Sequence, residues 1–254
     1  MKVTSNKSNI NMKKNMIKKK KNKIKRFRLS LALVVMAITA IYMFKGANES
    51  ALGNSDIDLR GVDEIKTVVE DEKNIVLVNK TYRLDENYEP KNLVKVNVDF
   101  SPESTEEEKY MTEEASNALE NMFQGALSDN IILKGLSGYR SYKTQKSLYN
   151  YNIEINGQIY TDNFVAPPGG SEHQLGEAMD IATSNGGIYE GCDEALWLAQ
   201  NAYKYGFIIR YEKGKENLTG YSYEPWHVRY VGKDIAKEIY KEKLTLEEYI
   251  DKEM

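Results

Sequence analysis

The 254-residue chain contains a single cysteine, Cys192. Disulfides hold together many exported domains whose cores are small, but one thiol cannot form a bridge within the chain. The folded part of this protein must therefore be held by packing and by metal. Nothing near Cys192 would activate a thiolate nucleophile, so we expect it to be a small buried or loop residue without a catalytic role.

Histidine is almost as rare, because only His173 and His227 occur in the whole chain. Taken singly, a histidine is more often packed or solvated than a ligand, and a carboxylate usually belongs to a solvated face. Both histidines, however, lie in short segments marked by acids and by glycine or proline, SEHQLGEAMD at residues 171–180 and EPWH at residues 224–227. Such segments disfavour helix and favour loops, where functional residues concentrate. We interpret the two segments as parts of one metal site.

The residue types in these segments are those of a catalytic zinc site. Zinc accepts imidazole and carboxylate ligands, and a catalytic site uses three protein ligands and leaves the fourth position to water. His173, Asp180 and His227 would bind one zinc ion per chain. Glu224 is then a spare carboxylate, close to His227 in the sequence, that can accept a proton from an activated water. The set predicts metal-assisted hydrolysis.

The same segments resemble the VanY-type D-alanyl-D-alanine carboxypeptidases of the M15 zinc peptidases. The segment GYRSY at residues 138–142, with Gln145, is similar to the family's Tyr-Arg-Ser segment, and RYVG at residues 229–232 continues the last motif. The resemblance covers residues 75–250. It implies the fold of the hedgehog and DD-peptidase group, in which a mostly antiparallel sheet is flanked by helices.

The resemblance also implies roles for residues outside the ligand set. The arginine that matches Arg140 stabilises charge on the carbonyl oxygen in the transition state, a stronger interpretation than a surface salt bridge. Ser171 and Gln145 match positions that contact substrate, although either side chain could instead cap local backbone. Trp226 is expected to form a wall of the pocket. Glu177 departs from the family pattern, and a third acid near the metal would modify its affinity.

Family resemblance implies a DD-carboxypeptidase that removes the terminal D-alanine from peptidoglycan stem peptides. LD-carboxypeptidases and peptidoglycan endopeptidases carry almost the same metal motif, because bond preference depends on pocket shape. A different class of protein is the zinc-containing module that binds the cell wall without catalysis. Glu224 argues against this class, since such a module has no need of a base beside an open metal position.

The amino-terminal part of the chain has the pattern of an export signal. Residues 1–28 hold 12 Lys and Arg and no acid, and the apolar run LSLALVVMAITAIYMF follows at residues 29–44. This arrangement keeps the amino terminus in the cytoplasm and sends the following chain across the membrane. We predict a single-pass cell-membrane protein, with a tether at residues 45–73 and an extracellular catalytic domain at residues 74–254. Cleavage of the apolar run as a signal peptide, which would release a secreted protein, is the alternative.

The net charge of the chain limits the kinds of partner that it is expected to bind. Without the basic tail, the chain has 23 basic and 38 acidic residues and a net charge of −15, which argues against binding to nucleic acid. The expected partners are a stem peptide and, through the amino-terminal segment, the membrane. The length suits one ordinary catalytic domain, and the oligomeric state is left open.

Apolar periodicity predicts a mixture of strands and helices, and therefore an α+β domain. Strands are predicted at residues 75–78, 93–98, 131–133, 207–209 and 226–231. Helices are predicted within residues 104–127, at 141–153, from an N-cap at Asp193 to Gly206, at 233–240 and at 246–250.

Overall fold

The computed structural model of the protein describes residues 66–67, 69–70 and 75–253. The predictions for the basic tail, the membrane segment and most of the tether concern residues 1–65, which lie outside the described residues. In the part of the chain that is described, no helix combines the length and the apolar character needed to cross a membrane.

Short strands and seven α-helices make up the described chain. The strands are β1 (Lys66–Thr67), β2 (Val69–Glu70), β3 (Val76–Leu77), β4 (Tyr82–Arg83), β5 (Leu93–Lys95), β6 (Tyr110–Thr112), β7 (Lys134–Ser137), β8 (Ala178–Thr183), β9 (Gly186–Gly187), β10 (Phe207–Ile209) and β11 (His227–Tyr230). The helices are α1 (Glu113–Ser128), α2 (Tyr142–Asn156), α3 (Gln158–Phe164), α4 (Asp193–Asn201), α5 (Glu216–Thr219), α6 (Lys233–Glu242) and α7 (Leu246–Glu253). Short 3-10 helices span Glu107–Lys109, Glu172–Leu175 and Ala202–Tyr205.

A five-stranded antiparallel sheet organises the domain. Its order is β10–β11–β8–β7, with β9 paired to the carboxyl end of β8. Strands β8 and β11 pair in a register that sets Asp180 directly opposite His227. Among the described strands only β1 and β4 pair in parallel, so the predicted α+β fold with a mostly antiparallel sheet is confirmed.

The two faces of this sheet have different surroundings, as the alternation of side chains along a strand requires. Met179, Ile181 and Val228 point to one face, where they are fully buried in the main core. Helix α1 covers that face with an apolar stripe at helical spacing, formed by Ala115, Leu119, Met122, Phe123 and Ala126. Asp180 and His227, which alternate with the core residues, lie on the opposite face.

A second apolar cluster attaches the carboxy-terminal helices to the sheet. Ile208 of β10 and Val231 pack with buried residues of helices α6 and α7. Those helix residues are Ile235, Ala236, Ile239, Leu246, Tyr249 and Ile250. This packing fixes α7 beside the edge of the sheet that carries β10 and β11.

Several predicted elements are confirmed. The strand at residues 207–209 and the helices near 233–240 and 246–250 are present. The helix predicted at 141–153 runs from Tyr142 to Asn156, and its N-cap Ser141 accepts a hydrogen bond from the Thr144 amide at 3.3 Å.

The predicted helix within residues 104–127 begins later than expected. Residues 107–109 form a single tight turn, and residues 110–112 pair with β5 as strand β6, so that Met111 is buried in a strand. Pairing with a distant strand overrides local helical spacing here. Strand β5 itself is shorter than the predicted 93–98 and ends at Lys95.

Two further boundaries were wrong. The predicted strand at 131–133 is irregular, because the Ile131 amide donates to the Ala126 carbonyl at 2.8 Å and so closes helix α1; pairing in β7 starts at Lys134. Cys192, and not Asp193, is the N-cap of α4, without a side-chain cap hydrogen bond. Cys192 is partly exposed there and packs against the main core.

Candidate active site

His173, Asp180 and His227 converge on one point beside the central sheet. Their potential ligand atoms all lie within 4.8 Å of one another. His173 Nε2 is 3.3 Å from Asp180 Oδ2, and His227 Nδ1 is 3.0 Å from Asp180 Oδ1. The predicted ligand set is therefore assembled by the fold.

Asp180 and His227 lie in strands, His227 within the strand predicted at residues 226–231, whereas His173 lies outside the strands. The two strand residues face each other across β8 and β11. His173 belongs to the turn Glu172–Leu175, which ends at Gly176 with φ 70°. The positive φ favours glycine at this position, whereas the nearest atom to an added Cβ, Leu93 Cδ2 at 2.8 Å, is the end of a flexible side chain that can shift.

Hydrogen bonds decide which imidazole nitrogens are available to a metal. His173 Nδ1 lies 2.8 Å from the Gly138 carbonyl, which can only accept, so the proton is on Nδ1 and the lone pair on Nε2. His227 Nε2 lies 3.3 Å from the Glu172 carboxylate, which leaves Nδ1 to face Asp180. Each histidine thus directs one nitrogen to the common point and uses the other for support, as metal-ligating histidines do.

The electrostatic field at this point favours a cation. Although burial opposes it, hydrogen bonds to Asp180 and Glu172 raise the pKa of His227 to about 9. Burial lowers the pKa of His173. Burial would also raise the pKa of Asp180, but the two histidines hold it well below its usual range. Two imidazoles, which bind a metal in their neutral form, and one ionised carboxylate are a donor set that zinc accepts.

Glu224 lies in the same cavity as the three ligands. Burial, with smaller contributions from Asp180 and Glu172, raises the pKa of its carboxyl group to about 7, while His227 opposes the rise. Within the described residues no donor binds its carboxylate, whereas its backbone is fixed by hydrogen bonds to Tyr211 and His227. Glu224 is therefore an uncommitted base with a pKa near neutrality.

Arg140 faces the cavity from the start of helix α2, and neighbours fix its guanidinium group. Nη1 donates to Gln145 Oε1 at 2.9 Å, and Nη2 donates to Ser137 Oγ at 2.7 Å. Glu108 adds a carboxylate 3.6 Å from Nη2. A guanidinium has five N–H donors, so Arg140 keeps donors for a substrate oxygen.

The other predicted site residues also line this cavity, which has a volume of about 240 Å³. Gln145 is buried and uses both polar atoms, since its Nε2 donates to the Ala166 carbonyl at 2.7 Å. Ser171 is buried and its hydroxyl does not cap the following turn, which removes the simplest structural role for it. Trp226 contributes to the wall and packs partly against the main core. Direct substrate contact by these three residues stays a prediction.

The sequence interpretation missed a buried ionic layer behind the ligands. Glu172 is completely buried, accepts from Arg210 at 2.7 Å and from Arg229 at 3.0 Å, and contacts His227. Burial would raise the pKa of Glu172, but the two guanidinium groups hold it well below its usual range. Glu177 donates no ligand atom to the cluster and instead pairs with Arg229 at 2.7 Å. The third acid near the ligands is thus Glu172.

One signal for this layer was available in the sequence. Arg229 follows His227 by two positions in a predicted strand, so both side chains must share a face. No comparable signal marked Arg210.

Aromatic side chains complete the cavity. The ring of Tyr211 lies 5.0 Å from that of His227 and 4.7 Å from that of Tyr221, measured between centroids. The buried Tyr221 hydroxyl has no partner among the described residues. Leu148 of α2 and Phe164 of α3 form the opposite wall. The cavity is therefore polar beside the sheet, whereas the two helices contribute both apolar side chains, Leu148 and Phe164, and polar ones, Gln145 and Asn152.

Comparison with known proteins identifies D-alanyl-D-alanine carboxypeptidases as relatives of this chain. The family model of VanY, D-alanyl-D-alanine carboxypeptidase, matches residues 108–233. The bifunctional D-Ala-D-Ala dipeptidase and D-Ala-D-Ala carboxypeptidase VanXYC of Enterococcus gallinarum is 38% identical over 188 residues, which are 69% of this chain and 92% of VanXYC.

Two solved structures extend the similarity to the fold. The LD-carboxypeptidase LdcB matches with 45% identity and a TM-score of 0.69, over 77% of this chain and 94% of LdcB. A variant of the vancomycin-resistance D,D-pentapeptidase VanY in complex with Zn(II) matches with 34% identity and a TM-score of 0.58, over 70% of this chain and 99% of that protein.

Proposed function

The chain belongs to the VanY-type D-alanyl-D-alanine carboxypeptidase family of zinc peptidases, and we propose that it removes the terminal D-alanine from peptidoglycan stem peptides. The observation that carries this proposal is the convergence of His173, Asp180 and His227 within 4.8 Å, in one cavity with the uncommitted carboxylate of Glu224. A binding module without catalysis would not need that carboxylate.

The donor set supports a single zinc ion at this point. Two imidazole nitrogens and one carboxylate oxygen would hold it, with Glu172 and the Gly138 carbonyl orienting the imidazoles from behind. When bound, zinc supplies Lewis-acid polarisation of the scissile carbonyl and lowers the pKa of a water from 15.7 to about 7.

Glu224 moves the proton in the proposed reaction. Its carboxylate takes a proton from the attacking water and passes it to the leaving amine of the terminal residue. A pKa near 7 suits both halves of this transfer, because the group is neither too weak to accept the proton nor too strong to release it.

Arg140 stabilises the developing charge. Gln145 and Ser137 hold its guanidinium group in place before substrate arrives, so no reorganisation is needed during the reaction. Its remaining N–H groups donate to the carbonyl oxygen as that oxygen becomes negative. Ser171 and Trp226 line the cavity where the peptide terminus would lie.

LD-carboxypeptidase activity is the second candidate. The similarity to LdcB, at 45% identity, exceeds the 34% identity to the solved VanY variant. The metal ligands do not discriminate between the two activities, since bond preference depends on how the cavity wall accommodates the end of the peptide.

Product analysis separates these candidates. The purified full-length protein is incubated with pentapeptide and tetrapeptide stems, with zinc or with a chelator, and the products are identified by mass spectrometry. Zinc-dependent loss of one alanine from the pentapeptide is expected. Cleavage of the tetrapeptide alone would replace the proposal by the LD activity, and cleavage of neither would favour an endopeptidase or a wall-binding module.

We also propose that residues 29–44 anchor the protein in the cell membrane with the catalytic domain outside. The support is the basic tail followed by the apolar run in the sequence. Protease added to intact cells should remove the domain from an anchored protein. Release of the domain into the medium without protease would indicate signal cleavage, and its protection would contradict export.

A further inference from the structure

A path of charged side chains, buried as far as Arg210 and partly exposed at Glu247, leads from the metal ligand His227 to helix α7. It starts at Glu172, whose Oε2 lies 3.3 Å from His227 Nε2. The other carboxylate oxygen, Oε1, accepts from Arg210 Nε at 2.7 Å and from Arg229 Nη1 at 3.0 Å. The side chains of Glu172 and both arginines have no exposed surface. The contacts among these three residues therefore form away from bulk water.

Arg210 continues the path to helix α7. Its Nη1 and Nη2 donate to the two carboxylate oxygens of Glu247 at 2.9 and 2.6 Å, a bidentate pair with strict geometry. Glu247 lies in the first turn of α7, and Asn79 donates to the same carboxylate at 3.3 Å. The guanidinium of Arg210 is thus held between two carboxylates, Glu172 on one side and Glu247 on the other.

This arrangement makes the position of Glu172 dependent on Glu247. A buried guanidinium needs its charge and its N–H groups satisfied, and Arg210 divides them between the two acids. If the Glu247 carboxylate is lost, Arg210 has only Glu172 as a charged partner and will move toward it. Such a movement changes the position and the charge of the carboxylate that orients His227. Helix α7 lies beyond residues 108–233, which the VanY family model covers.

We propose that Glu247 is a positioning residue for the metal centre, acting through Arg210 and Glu172 on His227. The inference rests on the metal site proposed above. Under this proposal helix α7 supports metal binding in addition to packing against Ile208 and Val231.

The competing explanation is that Glu247 only fastens α7 to the domain. Glu248 provides the matched control, because it lies in the same turn. Its carboxylate accepts from the Thr245 amide at 2.8 Å and pairs with Lys215 at 2.9 Å, but it makes no contact with Arg210. A purely structural effect of α7 would appear in variants of either acid, whereas an effect on the metal site should be confined to Glu247.

The test measures zinc affinity by competition with a chromophoric chelator, and the visible spectrum of the cobalt-loaded protein, on full-length variants. Glu172→Gln is expected to weaken zinc binding by about 10–100-fold, the usual cost of losing a group that supports a ligand. Glu247→Gln, one step further away, should weaken it by about 3–10-fold and shift the cobalt spectrum. Glu248→Gln should change neither.

The double variant Glu172→Gln with Glu247→Gln decides whether the two acids act along one path. If they do, the double variant binds zinc about as weakly as Glu172→Gln alone, because the route from Glu247 is already interrupted. Additive losses would overturn the inference. So would a Glu247→Gln protein with wild-type zinc affinity, or equal losses in Glu247→Gln and Glu248→Gln.

Two further variants keep the test valid if Glu247→Gln does not fold. Glu247→Asp retains the charge on a shorter side chain and should restore part of the affinity. Arg210→Lys retains the buried charge but cannot form the bidentate pair, and it should weaken zinc binding as Glu247→Gln does. Wild-type affinity in both variants would overturn the inference. Failure of the wild-type protein itself to bind zinc would instead overturn the proposed metal site.

Discussion

The two walls of the active-site cavity differ in construction. One wall, the sheet wall, is formed by the central sheet and the adjoining turn Glu172–Leu175. Strand register fixes Asp180 and His227, and hydrogen bonds to the Gly138 carbonyl and to Glu172 orient His173 and His227. The opposite wall is the helical hairpin of α2 and α3, where Leu148 is 36% and Phe164 is 49% exposed. We infer that the sheet wall determines the chemistry and that the hairpin wall determines which peptide is accepted.

Outside the cavity, the helical hairpin of α2 and α3 also buries few side chains. Gln145 is the buried residue of α2, and Tyr151, Ile155 and Ile159 are all more than half exposed. Side chains of this kind can be exchanged with small effects on the fold, whereas the ligands on β8 and β11 cannot move without disturbing strand pairing. Substitutions on the two walls should therefore separate metal binding from substrate choice.

The largest effect is expected from Asp180→Ala on the sheet wall. Loss of the carboxylate removes one of three ligands, so zinc binding should weaken by more than the roughly 10–100-fold typical for a supporting residue, and turnover should disappear with it. Zinc content by atomic absorption and peptide turnover test this. Tyr151→Ala, a control on the hairpin, should bind zinc normally. Normal zinc content in Asp180→Ala would place the metal elsewhere.

Arg140→Lys should lower kcat by about 10²–10³-fold while zinc affinity stays unchanged. Lysine keeps the charge but cannot contact Gln145, Ser137 and substrate at the same time. Steady-state kinetics on the pentapeptide measure the effect. The matched control is Arg83→Lys. The Arg83 guanidinium donates a hydrogen bond to the Lys80 carbonyl. A rise of KM at constant kcat would show that Arg140 serves only substrate binding.

Phe164→Ala should change peptide preference with a smaller effect. Removal of an apolar contact in a pocket alters kcat/KM by up to about 200-fold, and the ratio of pentapeptide to tetrapeptide cleavage should change while zinc affinity does not. Ile159→Ala, on the same helix but 84% exposed and outside the cavity, should leave the ratio unchanged. An unchanged ratio in Phe164→Ala would mean that another surface selects the peptide.

The last comparison concerns stability and uses a matched pair of leucine substitutions. Leu119→Ala empties a fully buried position and should lower the free energy of unfolding by about 2–5 kcal/mol. Leu148→Ala on the hairpin should lower it by less than about 1 kcal/mol, because that side chain is partly solvated. Urea unfolding measures both values. Equal losses would show that the hairpin is as firmly packed as the core.

The difference between the walls also explains what the sequence could predict. The ligands and Glu224 were identifiable because only two histidines exist and both lie in acidic motifs that resemble a known family. Glu172, Arg210 and Glu247 were not, since their contacts join residues 38 and 37 positions apart. Local periodicity carries no information on such pairs. The same limit applies to residues 110–112, where helical spacing is overridden by pairing with β5.

The catalytic claim is tested most directly by comparing the wild-type protein with Glu224→Gln, both loaded with zinc. Zinc per chain and the rate of alanine release from the pentapeptide are measured on the same samples. One zinc per chain in both proteins, with turnover about 10²–10⁴-fold lower in the variant, is expected for a base that does not bind the metal. Wild-type turnover in Glu224→Gln would contradict the proposed mechanism.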